Sequence, residues 1–148
     1  MGDQVMINVE LTNYSSPLDP LPEKVAEIVI RHNLEDKMLF SSFNPIALRK
    51  INRILPESPI GLLVLKGIKG KPLLGRLGKI LVPYQSLHSE ISTVSHHLIT
   101  KVHKFGNRII VYTVNQVNEM QRLFTLRVDG ILTDDPLLAR QVLVDINH

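Results

Sequence analysis

A single acidic residue in an apolar stretch is the first candidate for chemistry in this chain. Glu10 follows Met6-Ile7-Asn8-Val9 and precedes Leu11, and this run predicts a buried strand. Burying a carboxylate costs free energy unless a cation or several hydrogen-bond donors compensate. A divalent metal such as Mg²⁺ or Ca²⁺ would compensate through oxygen coordination. The alternative is a strand-end acid that pairs with a lysine or is solvated.

Polar and aromatic residues also stand where the other predicted strands end. In parallel α/β folds the carboxyl ends of the strands meet at one edge of the sheet, where functional groups gather. The residues near such ends are Thr12, Phe43, His88, Tyr112, Asn115 and Asp134. Aromatic rings at this edge would wall a small polar substrate and exclude water. The alternative is that the rings of Phe43 and Tyr112 belong to the core.

The sequence lacks the motifs of several other chemistries. His96, His97 and His103 lie on one predicted helix without the spacing of a zinc-binding pair, so we expect them at the surface. There is no Gly-rich nucleotide or dinucleotide motif and no nucleophile elbow. The absence of cysteine excludes disulfides and thiolate metal sites and suits a reducing interior, so we expect a cytoplasmic protein.

Six apolar segments that alternate with amphipathic ones must position these residues. The predicted strands are 5–11, 38–42, 60–65, 79–82, 109–114 and 130–132. Near-continuous apolar strands followed by helices predict an α/β fold with a parallel sheet, part of a barrel or a doubly wound sheet. At 148 residues and 44% hydrophobic content, one domain spanning 1–148 is the simplest organisation.

The predicted helices have recognisable ends and buried faces. Asn44 is a predicted N-cap with Pro45 at the first helical position, Asp135 with Pro136 repeats that arrangement, and Gly106 ends another helix. The apolar residues expected to face inward are Ile46, Leu48, Ile51 and Leu55; Ile91, Val94, Leu98, Val102 and Phe105; Val117, Met120, Leu123 and Phe124; and Leu137, Leu138, Val142 and Leu143.

Charge and hydropathy limit the partners. The first four residues lack the basic head of a signal peptide, and nowhere do eighteen apolar residues run together, so no transmembrane segment is expected. The net charge is +3, yet residues 61–89 contain no acid. The basic residues in that segment are Lys66, Lys69, Lys71, Arg76 and Lys79. We expect an exposed loop there, the alternative being a surface for phosphate head groups or nucleic acid.

Four segments resemble, in the same order, the glycerophosphodiester phosphodiesterase family. They are Ile7-Asn8-Val9-Glu10-Leu11, Ser41-Ser42-Phe43, Tyr112-Thr113-Val114-Asn115 and the stretch from Val128 to Pro136. The resemblance runs from about Ile7 to Val142 and implies a (β/α) barrel of the TIM type, here a partial barrel made of its later strands. It also implies a metal-dependent hydrolase of lipid metabolism that cuts glycerophosphodiesters into glycerol 3-phosphate and an alcohol.

The resemblance assigns roles residue by residue. Glu10 matches the family's glutamate that binds the divalent cation, and Phe43 and Tyr112 match its substrate-binding aromatic positions, with tyrosine in place of the usual tryptophan. Thr12 stands where the family has lysine, and Arg127 where it has glycine, so a left-handed backbone at Arg127 would cost about 1 kcal/mol. The residues given structural or weaker roles are Asp129 and Asp134 at turns, Asp135 as a helix cap, and His88 as a substrate contact.

The family's early motifs are missing from this chain. His-Arg-Gly, Glu-x-Asp and His-Asp precede the strand that resembles the Glu10 strand, and none of them occurs here. They would supply two metal carboxylates and both acid/base histidines. We therefore predict no catalytic residue in this chain, a metal at Glu10 only in the complete barrel, and no activity of the isolated chain.

Three explanations of the missing part are open: a gene model begun at an internal Met1, a fragment, or a divergent protein that closes its sheet by dimerisation. A partial barrel has unpaired strand edges, which predicts self-association. The expected ligand is a small glycerophosphodiester, with no nucleic acid. The alternative function is a non-catalytic module that binds an anionic surface or assembles through the partial barrel.

Overall fold

The computed structural model describes residues 5–13, 16, 19–64 and 82–146, and its centre is a parallel sheet. Six strands lie in chain order, each paired in parallel with the next. They are β1 (Ile7–Glu10), β2 (Met38–Ser42), β3 (Ile60–Val64), β4 (Ser86–Glu90), β5 (Arg108–Tyr112) and β6 (Gly130–Ile131). The curled sheet with its helices is a partial (β/α) barrel, as the sequence predicted.

Helices connect most of the strands. They are α1 (Leu21–Arg31), α2 (Pro45–Ile54), α3 (His96–Lys104), α4 (Val117–Thr125) and α5 (Pro136–Ile146), with short 3₁₀ turns at Glu35–Lys37 and Ile91–Thr93. No helix in the described ranges has the length and apolarity needed to cross a bilayer.

The two faces of the sheet carry different sets of side chains. Side chains alternate along each strand, and residues that are register partners lie on the same face. One face packs on the helices and forms the core, where the large buried strand residues are Leu11, Phe40, Ile60, Leu62, Leu87, Ile109 and Val111. The opposite face lines the barrel lumen. The register places Glu10, Ser41, Gly61 and Ser86 on this face, followed by Leu63, His88, Glu90, Ile110 and Tyr112.

The fourth predicted strand, 79–82, lies outside the described residues except for Val82, which is not in a strand. The described strand between β3 and β5 is Ser86–Glu90, which the sequence did not predict. Its sequence, SLHSE, lacks an apolar run because Ser86, His88 and Glu90 face the lumen. Hydrophobic periodicity therefore could not detect it. The other predicted strands agree with the observed ones to within two residues at the ends that the structure describes.

The helix ends follow the predicted capping chemistry. The Asn44 side chain accepts hydrogen bonds from the backbone N–H groups of Ile46 (3.0 Å) and Ala47 (3.4 Å). Asp135 accepts one from Leu138 N–H at 2.9 Å. Gly106 has φ 71°, the left-handed conformation that favours glycine. Helix α3 begins after Ser95, although its predicted buried face starts at Ile91, because the Ser95 side chain caps it.

Four residues predicted to face inward are exposed: Ile46, Val117, Leu137 and Leu143. Ile46 and Val117 lie in the first turns of α2 and α4, which leave the carboxyl edge of the sheet before they pack on it. Leu137, 79% exposed, and Leu143 belong to α5, which packs on α4 and buries only Ala139 and Val142.

Candidate functional site

A cavity of about 240 Å³ opens at the carboxyl edge of the sheet. Four of the residues singled out in the sequence, from four separate segments, line this mouth cavity. They are Glu10, Phe43, Tyr112 and Asp134, and the rest of the lining is Leu63, Thr113, Leu132 and Thr133. The strand ends converge here, and the cavity holds two carboxylates and two aromatic rings among its described lining residues.

The aromatic pair is held in place from two directions. The Phe43 and Tyr112 rings meet edge to face, with centroids 6.3 Å apart and an interplanar angle of 85°. The Tyr112 hydroxyl donates a hydrogen bond to the Val64 carbonyl oxygen at 2.9 Å. Burial, and then the charges of Glu90 and Glu10, raise the pKa of Tyr112 to about 12. Tyr112 therefore stays protonated at neutral pH and serves as a wall of the cavity, not as an acid or base.

The end of β1 that carries Glu10 is tied to the end of β2. The Ser42 hydroxyl donates to the Leu11 carbonyl oxygen at 2.6 Å, and the Asn44 side chain donates to the Asn13 carbonyl oxygen at 3.1 Å. Glu10 itself is exposed, which corrects the expectation of a buried carboxylate. The reason is topological: β1 is the edge strand of the described sheet, so no described strand covers its outer side.

The described residues do not form a complete metal site. Asp134 is the other carboxylate of the mouth cavity, and its Oδ2 already accepts a hydrogen bond from Asn115 Nδ2 at 2.6 Å. Nowhere in the ranges that the structure describes do three histidine, aspartate or glutamate side chains come close enough to hold a metal ion. A divalent cation at Glu10 would need further oxygen donors, since these ions take about six or more.

Glu90 is a residue near the site that the sequence reading missed. It ends β4 on the lumen face, in register with Tyr112. Its carboxylate accepts hydrogen bonds from Ser92 N–H (3.1 Å) and Ser92 Oγ (2.5 Å). The alternation of Ser86, His88 and Glu90 would have placed it on the lumen face once the strand was located correctly.

His88 lies below the mouth cavity and does not line it. It is only 1% exposed, and its Nε2 is 3.0 Å from the Ser86 hydroxyl. Burial lowers the pKa of His88 to about 4, so the ring is neutral at pH 7. The ring occupies the space over Gly61, where an added Cβ would lie 2.4 Å from His88 Nε2. This packing is that of a core histidine, and substrate contact by His88 finds no support in its position.

The predicted turn residues join the ends of β5 and β6. Asn115 Oδ1 accepts from Asp134 N–H (3.0 Å) and from the Thr133 hydroxyl (3.1 Å). Asp129 accepts from Ile109 N–H at 2.8 Å, and its Oδ2 is 2.7 Å from His103 Nε2. Arg127 has φ 61°, so its backbone is left-handed as considered above. These contacts support the structural roles predicted for this segment.

The remaining predicted residues lie outside the site. Thr12 is exposed and is not among the residues that line the mouth cavity. His96 and His97 are exposed, and His103 is also a surface residue. The basic segment with Lys66, Lys69, Lys71, Arg76 and Lys79 lies outside the described residues.

Comparison with known proteins gives a consistent result. The model of the glycerophosphoryl diester phosphodiesterase family matches residues 5–138. A glycerophosphodiester phosphodiesterase of Caldanaerobacter subterraneus subsp. tengcongensis is 28% identical over 137 residues, which are 92% of this chain and 55% of that protein. The chain spans about half the length of the curated relatives it matches.

Solved structures share the fold. A glycerophosphodiester phosphodiesterase from Parabacteroides distasonis superposes with a TM-score of 0.82 at 20% identity, covering 97% of this chain and 59% of that one. An Oleispira antarctica phosphodiesterase, solved in complex with the product sn-glycerol-3-phosphate, gives a TM-score of 0.71 at 20% identity. That comparison covers 94% of this chain and 55% of the other.

Proposed function

Because the chain belongs to the glycerophosphoryl diester phosphodiesterase family, we propose that its mouth cavity is the later part of a site that hydrolyses glycerophosphodiesters. The products would be glycerol 3-phosphate and an alcohol, and the complete protein would act in lipid metabolism. The convergence of Glu10, Phe43, Tyr112 and Asp134 on one cavity is the observation that carries the proposal.

The chain's own residues would bind and orient the substrate. Phe43 and Tyr112 present a rigid aromatic wall that excludes water from one side of the bound diester. Glu10 would supply one oxygen ligand to a divalent cation, Mg²⁺ or Ca²⁺, together with donors from beyond the described residues. Neither His88 nor Tyr112 has the position of a general acid or base, because His88 is buried below the cavity and the Tyr112 hydroxyl donates to the Val64 carbonyl oxygen.

The proposal is tested by completing the barrel. This chain would be joined to the upstream part of the Caldanaerobacter relative, and release of glycerol 3-phosphate from glycerophosphocholine would be measured with Mg²⁺ or Ca²⁺. We expect metal-dependent turnover that Glu10→Gln lowers roughly 100-fold, because a metal ligand contributes several kcal/mol of transition-state stabilisation. Glu57→Gln, an exposed carboxylate before β3 and so at the opposite edge of the sheet, is the matched control. Unchanged turnover in Glu10→Gln would refute the role of Glu10.

We also propose that the chain by itself is inactive, since it lacks the acid/base histidines of the family. The same assay without the upstream part should give no metal-dependent product. Turnover within about tenfold of an ordinary enzyme, near 10 s⁻¹, would contradict this statement.

The exposed end of the sheet supports self-association. Before and within β1, Val5 is 76%, Met6 50% and Ile7 47% exposed, and the outer edge of β1 has no partner strand among the described residues. An apolar strand edge of this kind pairs readily with another chain. Sedimentation equilibrium should show association that Ile7→Lys weakens, whereas a monomer at all concentrations would exclude it.

A further inference from the structure

A second and larger cleft lies beside the mouth cavity. Its volume is about 620 Å³, and we call it the side cleft. The lining residues are Ile91, Ser92, Val94, Thr113, Asn115, Gln116, Glu119 and Arg122. They come from the loops that follow β4 and β5 and from the start of α4, all at the carboxyl edge of the sheet. Thr113 lines both the side cleft and the mouth cavity, so the two spaces adjoin.

The side cleft is polar and electrically balanced. Six of its eight lining residues have hydrogen-bonding side chains, and the charged ones neutralise each other. Arg122 Nε donates to Glu119 Oε2 at 2.7 Å, and Arg122 Nη1 donates to the Val94 carbonyl oxygen at 3.4 Å. The described lining of the mouth cavity, in contrast, contains two carboxylates and no basic side chain. The two adjoining spaces therefore suit different parts of one ligand.

Two lining side chains are available for a ligand. Neither the Thr113 hydroxyl nor the Gln116 amide has a hydrogen-bond partner in the part of the chain that the structure describes, and both residues are exposed. Gln116 precedes α4 without capping it through its side chain. The Asn115 side chain, by comparison, already bonds to Thr133 and Asp134 through both its oxygen and its nitrogen. A hydroxyl that donates and accepts, next to an amide that does both, complements alcohol groups.

The lining disfavours a cationic head group. A quaternary ammonium binds best over aromatic faces, and the lining of the side cleft contains none. Its single carboxylate, Glu119, already has Arg122 as partner. An anion is disfavoured for the corresponding reason, since the single basic side chain of the lining, Arg122, is already paired with Glu119.

We propose that the side cleft binds the alcohol part of the diester when that alcohol is an uncharged polyol, with hydrogen bonds from Thr113 and Gln116. This inference rests on the proposed function for the placement of the phosphate in the mouth cavity. It adds a preference for hydroxyl-rich over cationic head groups.

The test measures binding to the 148-residue chain itself, without turnover. Glycerophosphoinositol and glycerophosphocholine would be titrated separately against isotope-labelled chain and followed by two-dimensional NMR. We expect the inositol compound to bind more tightly and to shift Thr113, Gln116 and Glu119. Gln116→Ala should weaken its affinity about 5-fold, the value of one hydrogen bond, and leave the choline compound unchanged.

A matched control and a second variant complete the experiment. Gln121→Ala removes an exposed amide from α4, outside the side cleft, and should change nothing. Thr113→Val keeps the side-chain shape and should also weaken the inositol compound. Equal or tighter binding of the choline compound, or unchanged inositol binding in both cleft variants, would overturn the inference. Polyol binding at the cleft without hydrolysis by the completed barrel would refute the proposed function and leave the side cleft assignment standing.

Discussion

The floor of the barrel lumen and its mouth both carry polar side chains but are packed in opposite ways. The lumen floor, formed by Gly61, Ser86 and His88, is buried throughout, and a histidine fills the space that a glycine leaves. The mouth, with Glu10 and Asp134, has its carboxylate residues exposed. Buried and exposed polar groups are thus separated along the strands. Substitutions at the floor should change stability most, and those at the mouth least.

The largest expected effect is at the floor. In Gly61→Ala the new methyl group would overlap the His88 ring, because its position is 2.4 Å from Nε2 and 2.8 Å from Cε1. We expect the free energy of unfolding to fall by about 3 kcal/mol, the cost of overpacking a filled core. Urea denaturation would measure this. The control is Gly130→Ala, whose added Cβ meets Ile110 at an ordinary 3.6 Å and should be nearly neutral.

The pH dependence of stability should come largely from His88. Burial lowers its pKa from 6.5 to about 4 in the folded chain, so between those values the unfolded chain binds a proton that the folded chain does not. The His88 contribution is therefore fully present above pH 6.5 and decreases as the pH falls towards 4, by about 3 kcal/mol in total. Denaturation curves at several pH values would show the decrease. His88→Gln should flatten it, whereas His97→Gln at the surface should not.

A smaller loss is expected where the mouth is joined to the last strand. Asn115→Ala removes three hydrogen bonds to Thr133 and Asp134, all of them at exposed positions. Because water replaces exposed bonds in part, we expect a loss of about 1 to 2 kcal/mol. Hydrogen exchange should rise at Val114 N–H and Leu132 N–H, which bond across β5 and β6. Unchanged exchange there would mean that the Asn115 side chain does not fix the end of β6.

The smallest expected effect is at the aromatic wall. Tyr112→Phe keeps the ring against Phe43 but removes the hydrogen bond to the Val64 carbonyl oxygen, and should cost about 1 kcal/mol. Tyr112→Leu, which also removes the ring, should cost more. If Tyr112→Phe were as damaging as Gly61→Ala, the mouth would be as tightly packed as the floor, and the distinction between the two regions would fail.

The rival function needs a separate test, since its basic segment lies outside the described residues. If the chain binds anionic surfaces through Lys66 to Lys79, vesicles that contain anionic lipid should bind it with an affinity that falls steeply with salt. Lys69→Glu should weaken that binding. Binding that is absent or insensitive to salt would exclude this function.

The elements that were predicted correctly from the sequence are buried strands and capped helix ends, whose residue patterns are local. The strands around Phe40 and Ile109 are apolar on both sides because they are covered on both faces, and Asn44 and Asp135 cap helices by local chemistry. Strand β4 was missed because its lumen-facing residues are serine, histidine and glutamate, so the strand lacks the apolar run by which the other strands were recognised. The sequence prediction also failed at Ile46 and Leu137, since amphipathic spacing does not show where a helix extends past the sheet.

Ordered motifs and periodicity are local properties of the chain, and they were enough to predict the family, the class of fold and the candidates Glu10, Phe43, Tyr112 and Asp134. Which of these residues meet depends on the tertiary structure. Register and the curl of the sheet bring Glu10 and Asp134 to one cavity from opposite ends of the sheet. They also place His88 under it and Glu90 beside Tyr112, and they leave Glu10 exposed at an edge strand. The distance between two residues across a sheet depends on the order of the strands. That order results from the pairing of all the strands and cannot be inferred from the sequence of one segment.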